Sequence, residues 1–388
     1  MTNTPKLLYR GLAQASGALG ATWTTVNLAS SQTWNSVVYG NGQFVAVAGS
    51  TTTAATSPDG ITWTARTMPS AAFWTSVAYG NGVYVAVSGA NSSAAATSPD
   101  GITWTARTMP SAASWTSVAF GNGVFAAVTN NSSNTAASSP DGITWTTRSL
   151  PSSPNYTSVA FGNGVFAAIA TGTSIGASSV DGATWTARAL PTTDAWKTVA
   201  FGAGQSSGGG LFVAIATATT DAASSADGIT WSTRAMPSST NWTGLAYGQG
   251  MWVATSSSTA AAATSPDGIT WTARTLPTSG TAAVGYGNNG FVALTSNSGT
   301  GSRSVMATLY TTPAATTAVI TDLYVSNPNG VSAAVTLQLD GHSIFSGTSL
   351  AATTAVQDAV RQVLATGKAL SGFATQPVNI HASGMEIT

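Results

Sequence analysis

The 388-residue chain has no cysteine, so neither disulfides nor thiolate metal ligands are available to it. Charge is almost as scarce. Only 6% of residues are Asp, Glu, Lys or Arg, twelve basic against twelve acidic, where an ordinary globular protein has about 25%. A net charge of zero leaves no electrostatic footprint for nucleic acid or an anionic membrane surface. General acids and bases are scarcer still: there is one Glu, Glu386, and two His, His342 and His381, all near the C-terminal end. The opening MTNTPK leads into no long apolar run, so neither a signal peptide nor a membrane span is expected.

What fills the space is Gly, Ala, Ser and Thr, with 43% hydrophobic residues and 13 Trp. That is too apolar for a disordered chain. It suits an all-β fold of short strands joined by uncharged polar turns.

Repetition is the dominant signal. SPDGITWTARTMP stands at residues 57–69 and again at 98–110, and close variants begin at Ser139, Ser179, Ser225 and Ser265. The repeated Asp falls at positions 59, 100, 141, 181, 227 and 267, giving intervals of 41, 41, 40, 46 and 40. The long interval holds the Gly-rich insertion GAGQSSGGG at 202–210. A period of about 40 residues with several short strands per unit is the signature of a β-propeller.

One unit reads as four strands. Residues 74–80 alternate, Asn81-Gly82 gives a hairpin signal, and 83–87 return. Residues 95–98 enter a third strand, Pro99-Asp100-Gly101 turns, and 102–108 form the fourth. Six full units begin at Trp34, Trp74, Trp115, Tyr156, Trp196 and Trp242, and a seventh begins near Ala283 but lacks the SPDG turn and its Trp strand. Residues 21–27, ATWTTVN, supply that strand from the other end of the chain, with Trp23 in the place of the repeated Trp. The expectation is a seven-bladed β-propeller over 18–302, closed by this N-terminal strand, which removes an exposed sheet edge.

Outside it, residues 1–17 and 303–388 are expected to build one small β-sandwich, with the propeller inserted after its first strand. Strands are expected at 6–10, 307–311, 318–325, 334–339 and 378–381. Residues 355–366 have the spacing of a short helix.

The repeated S-x-D-G-x-T-W is similar to the Asp-box of sialidase-like propellers, S-x-D-x-G-x-T-W, with one residue fewer between Asp and Gly in every copy. The resemblance implies a fold element on each blade's outer hairpin, away from any catalytic site. The flanks carry a second resemblance. KLLYRGLAQ, ATLYTTPAATTAVITDLYVSNPNGVSAAVTLQLDG and VNIHASGMEIT resemble a small β-domain of tailed-bacteriophage virion proteins. That implies attachment to other virion proteins, of tail, fibre or head, through the sandwich, with a homotrimer as a compatible assembly. It also implies that the chain, made in the host cytoplasm, ends in the virion.

The repeated residues read as scaffold. Asp59, Asp100, Asp141, Asp181, Asp227 and Asp267 stand one per blade and cannot converge on one metal or substrate; each suits an Asx-type turn. Trp63, Trp104, Trp145, Trp185, Trp231 and Trp271 suit packing between blades. Arg66, Arg107, Arg148, Arg188, Arg234 and Arg274, each seven residues after its Asp, are splayed on outer strands and suit local pairing with carboxylates or backbone carbonyls.

Beyond the turn series the propeller offers only Asp194 and Asp221, with no Glu and no His. A two-carboxylate glycosidase or a Ser-His-Asp hydrolase is therefore not expected, nor any metal or cofactor. The loops on the face opposite the SPDG turns differ from blade to blade, and variable loops on a rigid frame suit recognition. A host-surface glycan is the expected ligand, with Phe73, Tyr156 and Trp242 as its aromatic contacts. The alternatives are a sialidase-like or polysaccharide-degrading propeller enzyme, which would have to use Asp194 or Asp221, and a purely structural capsid decoration without ligand.

Overall fold

The computed structural model describes residues 6–13, 19–202 and 209–305, together with strand segments between 307 and 387 (307–311, 317–326, 333–339, 342–350, 355–358, 362–364, 369–374 and 378–387). Most of the 202–210 insertion lies outside the described residues. The chain divides into two compact units: Trp23–Arg303, and a unit of both chain ends, Met1–Thr22 with Ser304–Thr388. All regular structure among the described residues is β, and no helix occurs there.

Within Trp23–Arg303 the repeated unit is a four-stranded antiparallel meander. Trp74–Gly80, Val83–Ser88, Ser92–Ser98 and Thr105–Ala113 pair in chain order. The first turn is tight because Asn81 and Gly82 both take positive φ, 49° and 75°, the pair of values a type I′ hairpin requires. Val83–Ser88 is buried on both faces from Tyr84 onward, which explains its unbroken apolar run. The fourth strand begins at Thr105, not at Ile102 as the alternation suggests. Ile102 belongs to the turn and is 42% exposed, while Trp104 is buried.

The segments read as loops between units are strand in several places. In Thr186–Gly202, residues 186–189 close one sheet against 175–178, and 196–202 open the next against 211–216. Ser232–Gly248 and Thr24–Gly40 do the same.

Adjacent sheets lock through one recurring contact. The glycine that ends each inner strand lies under an aromatic ring of the following unit. A Cβ on Gly80 would stand 2.0 Å from Phe120 Cγ, and one on Gly121 would stand 1.9 Å from Phe161 Cγ. The pairs continue as Gly40 with Tyr79, Gly162 with Phe201, Gly202 with Tyr247 and Gly248 with Tyr286, and Gly287 returns to Tyr39 of the first unit. The series closes on itself.

The closing strand is where the sequence places it. Thr24–Asn27 pairs antiparallel with Thr300–Arg303. The missing turn is also partly rebuilt. The Gly20 N–H donates to Ser304 Oγ at 2.8 Å, as the Gly60 N–H does to Ser57 Oγ at 2.8 Å. Gly20-Ala21-Thr22-Trp23 is thus the second half of the repeated motif, Ser304 is its first residue, and the buried Leu19 stands where the Asp would be. Arg303 adds a lock of its own. It is 3% exposed, lies over the Phe44 ring, and donates to the carbonyls of Asp59 (2.9 Å) and Asn288 (2.8 Å). Burial lowers its pKa to about 10.

The second unit holds two antiparallel sheets. In one, Lys6–Ala13 pairs with Val378–Ile387, which pairs with Thr317–Ser326. The other runs Ala307–Thr311, Ala369–Ala374, Ala333–Leu339, His342–Leu350. Within 355–366, whose spacing also suits a short helix, the described residues are β. Ala355–Asp358 and Gln362–Leu364 are short strands, each paired with a different part of Thr317–Ser326. A period that fits one helix face fits two β segments equally well when the run is short.

The aromatic-over-glycine contact yields a direct test. Gly121→Ala forces the Phe161 ring aside and is expected to cost about 1–3 kcal/mol. Gly123→Ala, where nothing lies within 4 Å of the new Cβ, is expected to cost only the strain of a positive φ, about 1 kcal/mol. Denaturant titration of both variants checks the order.

Candidate functional site

Each repeated turn is satisfied from within. Oδ1 of Asp59 accepts from the Ser57 hydroxyl (3.0 Å) and from the N–H groups of Ile61 (2.8 Å) and Thr62 (3.0 Å). Asp100, Asp141, Asp181, Asp227 and Asp267 repeat the same three bonds. The N–H groups of Thr103 and Ile102 hold Asp100 below the ordinary carboxylate range, and those of Thr184 and Ala183 take Asp181 to about 2. Burial pushes Asp59 up, but its backbone and Ser57 bonds outweigh it and the net shift is downward.

The indole N–H of Trp63, Trp104 and Trp145 donates to the turn-glycine carbonyl three residues earlier. Trp23, Trp185 and Trp271 are buried like these three, and Trp231 is half-buried. The Arg series pairs with neither carboxylates nor carbonyls in common. Nε of Arg66, Arg107, Arg148, Arg188, Arg234 and Arg274 donates to a hydroxyl ten residues back, on Thr56, Thr97, Ser138, Ser178, Ser224 and Thr264. A hydroxyl on the neighbouring strand is the nearest acceptor in a chain with few acids.

The two kinds of repeated turn share a face. The Asn122 amide of an Asn-Gly hairpin donates to Val180 O (2.9 Å) in an SPDG-type turn, Asn163 donates to Ala226 O (2.9 Å), and Asn288 donates to Pro58 O (3.0 Å). The opposite face is where the inner strands begin, and there a cavity of about 330 Å³ opens. That is the low end of small-molecule sites, which span roughly 300–1,000 Å³. Its wall takes Asn35, Thr75, Thr157, Lys197, Thr243 and Ala282 from the second position of successive inner strands, with Phe73, Ser158, Thr198 and Ser257 beside them.

A girdle of hydrogen bonds fixes that wall. The Asn35 amide donates to Trp74 O (2.7 Å), Thr75 Oγ1 to Trp115 O (2.6 Å), Thr116 Oγ1 to Tyr156 O (2.9 Å) and Thr157 Oγ1 to Trp196 O (3.0 Å). Lys197 comes next and does not join. Thr198 Oγ1 donates to Thr243 O (2.6 Å) in its stead, and Thr243 Oγ1 continues to Thr281 O (3.2 Å). Lys197 has no hydrogen-bond or carboxylate partner among the described residues. The residue is exposed toward the cavity, and desolvation of its ammonium lowers its pKa.

Of the three expected aromatic contacts, only Phe73 faces the cavity, at 40% exposure. Tyr156 and Trp242 are fully buried. They open inner strands, and strand alternation turns them into the packing between sheets while the next residue, Thr157 or Thr243, faces the cavity. The Trp242 indole N–H donates to Ser238 O at 2.9 Å, pinning the connection before it. The informative signal was the second position of each inner strand, where Lys197 interrupts a series otherwise made of Asn, Thr and Ala.

Asp194 and Asp221 meet in a side-chain hydrogen bond and do not line the cavity. Burial, and then the neighbouring Asp221, raise the Asp194 pKa against the opposing Ala195 N–H and Thr219 hydroxyl. No group of three or more His, Cys, Asp or Glu able to hold a metal occurs among the described residues.

Residues 107–240 match the family model of the DUF6242 beta propeller domain. No curated protein matches the chain by sequence. Solved structures do match by fold. Virginiamycin B lyase from Staphylococcus aureus aligns at a TM-score of 0.63 with 9% identity, over 73% of this chain and 98% of that one. YCF48 from Cyanidioschyzon merolae aligns at 0.55 with 16% identity, over 74% and 99%. A computationally designed protein, Ika8, aligns at 0.52 with 11% identity, over 72% and 99%. At these identities the likeness is one of fold. The chain carries a β-propeller domain.

The two groups of carboxylates respond oppositely to pH. Asp181, lowered to about 2 from 3.8, contributes stability that is complete above the upper value and is lost as pH falls toward the lower. Asp194, raised, favours the fold only while protonated, so its contribution is lost as pH rises through the shifted value. Asp194→Asn is therefore expected to raise the melting temperature at pH 7, with the gain vanishing below about pH 4. Melting curves of both proteins across pH 3–8 check this.

Proposed function

We propose that the chain is a non-enzymatic bacteriophage virion protein whose propeller, of seven blades, is displayed to hold host-surface glycan. The observation that carries this reading is the contrast between the two faces. On one, every SPDG-type turn satisfies its Asp from within; on the other, a polar cavity is lined by a position that is Thr in most units and departs to Asn35, Lys197 and Ala282 in others. A wall of hydroxyls, an amide, one cation and one aromatic suits a hydrated, polyhydroxylated ligand. Weak contacts of this kind gain strength from many copies on one particle.

Attachment is assigned to the unit built from the chain ends, read as a β-sandwich. Support comes from the register of its outer strands. The LYRG segment at the start pairs with the final strand, Tyr9 opposite Ala382 and Gly11 opposite Ile380, so the first and last segments that resemble a virion β-domain are joined in one sheet. Seven blades are supported by the glycine–aromatic series, which returns from Gly287 to Tyr39.

A second reading, an enzyme, draws on the contact between Asp194 and Asp221. The pair stands outside the cavity and binds itself, which favours a structural role.

Multivalent protein applied to a glycan array bearing host envelope fractions is expected to bind. Mass spectrometry of purified particles from the strain carrying the gene is expected to find the chain. Absence of binding with the chain present in particles would leave a decoration without ligand. Release of reducing sugar that Asp194→Asn or Asp221→Asn abolishes would establish the enzyme instead.

A further inference from the structure

The cavity wall has a chemical polarity that its residue types alone do not reveal. In the girdle, the hydroxyl protons of Thr75, Thr157 and Thr243 are committed to neighbouring backbone carbonyls. Their oxygens have lone pairs left, so toward a ligand these groups act as acceptors. The strongest free donor is Lys197, whose ammonium has three N–H bonds and no partner among the described residues, beside the second amide N–H of Asn35 and the Ser257 hydroxyl. The wall thus asks for a ligand rich in donors that also carries one strong, anionic acceptor.

Lys197 is not there for the fold. At its position other units carry Asn35, Thr75, Thr116, Thr157 and Thr243, each bonded to the next unit. Lys197 makes no such bond; Thr198, one residue on, bonds the next unit at Thr243 O instead, and Ala282 of the last unit makes none. A lysine whose structural duty has passed to its neighbour is free to point its charge at a ligand.

Resting on the glycan-binding reading, we infer that this cavity selects an acidic saccharide, a sugar carrying a carboxylate. Its carboxylate pairs with the Lys197 ammonium, its hydroxyl protons go to the Thr oxygens, and its apolar ring face meets Phe73. A charge-assisted pair is stronger than a neutral hydrogen bond, so the carboxylate supplies the selectivity. Inorganic sulfate offers the charge but no donors, and it leaves the Thr oxygens unserved.

The test is a ligand-observed NMR titration of the full chain with glucuronate, glucose and sulfate. Glucuronate is expected to bind about tenfold or more tightly than either of the others. Lys197→Thr restores the residue of neighbouring repeats, so it is expected to keep the parent's melting temperature while losing the preference for glucuronate. Lys197→Arg keeps the charge and is expected to retain the preference. Equal binding of glucose and glucuronate, unchanged by Lys197→Thr, would overturn the acidic-sugar inference and leave glycan binding standing. Sulfate binding as well as glucuronate would also overturn it, marking a plain anion site. No binding by any sugar would overturn both readings.

Discussion

The propeller depends on an aromatic ring lying flat over a glycine of the preceding unit. A sheet of four short strands cannot bury both its faces alone, and each blade here is complete only when its neighbour's ring seals the end of its inner strand. The distances leave no room for a β-carbon: Cβ on Gly121 or Gly162 would fall about 2 Å from the ring that covers it. Buried aromatic area is the largest single favourable term such small sheets can collect. Because the same contact recurs from Gly40 round to Gly287, the structure is stabilised as a closed series in which no unit is terminal. The girdle of Asn35 and Thr side chains at the other end of the inner strands adds a second series of contacts between neighbours from the first unit to the last, so those sheets are tied at both ends.

Closure is the point where the repeat must differ from itself. An intact SPDG turn needs six or seven consecutive residues, and a unit assembled from two chain ends cannot supply them in one run. The chain keeps the parts that a split turn can still use. Ser304 and Gly20 preserve the hydroxyl–amide bond, Trp23 preserves the indole, and the Asp is given up for buried Leu19. The lost carboxylate interactions are offset by a cation. Arg303 reaches the carbonyls of Asp59 in the first unit and Asn288 in the last, with Phe44 beneath its guanidinium. A buried Arg is tolerated there because its Nε and Nη2 meet fixed carbonyls and its plane meets an aromatic face, even though Nη1 is left without a partner.

Much of this was legible in the sequence because repetition amplifies local signals. Asn-Gly at four of the hairpins, one Asp per SPDG-type turn and the Trp23 strand are each weak alone, and repeated at 40-residue intervals they fix the strand order. The glycine–aromatic contact was not legible, since its two residues lie about 40 positions apart and only packing unites them. Tyr156 and Trp242 were misread for a related reason. An aromatic at the end of a polar loop looks like a surface contact, but its side chain turns into the packing between sheets while the next residue faces the cavity. Sequence left 355–366 open between helix and strand because short apolar spacing does not distinguish one helix face from two strands that share a partner, as Ala355–Asp358 and Gln362–Leu364 do.

The cavity shows how a repeat acquires a site. A perfect repeat would line its centre with identical hydroxyls, all bonded to neighbouring carbonyls, and such a wall would have uniform and modest affinity. One substitution changes that only if the structural bond at its position survives it. At Lys197 it does survive, because Thr198 lies one residue on and reaches the next unit's carbonyl. The charge is thereby added to the centre of the ring without breaking the girdle that holds the ring together. Phe73 departs from its repeat in the same way, replacing small or polar residues at the corresponding positions of other units, Thr33 and Ser114 among them. Function in this molecule is therefore to be sought where the repeat is broken at no structural cost, and the two departures that line the cavity, a cation and an aromatic, are complementary in what they can hold.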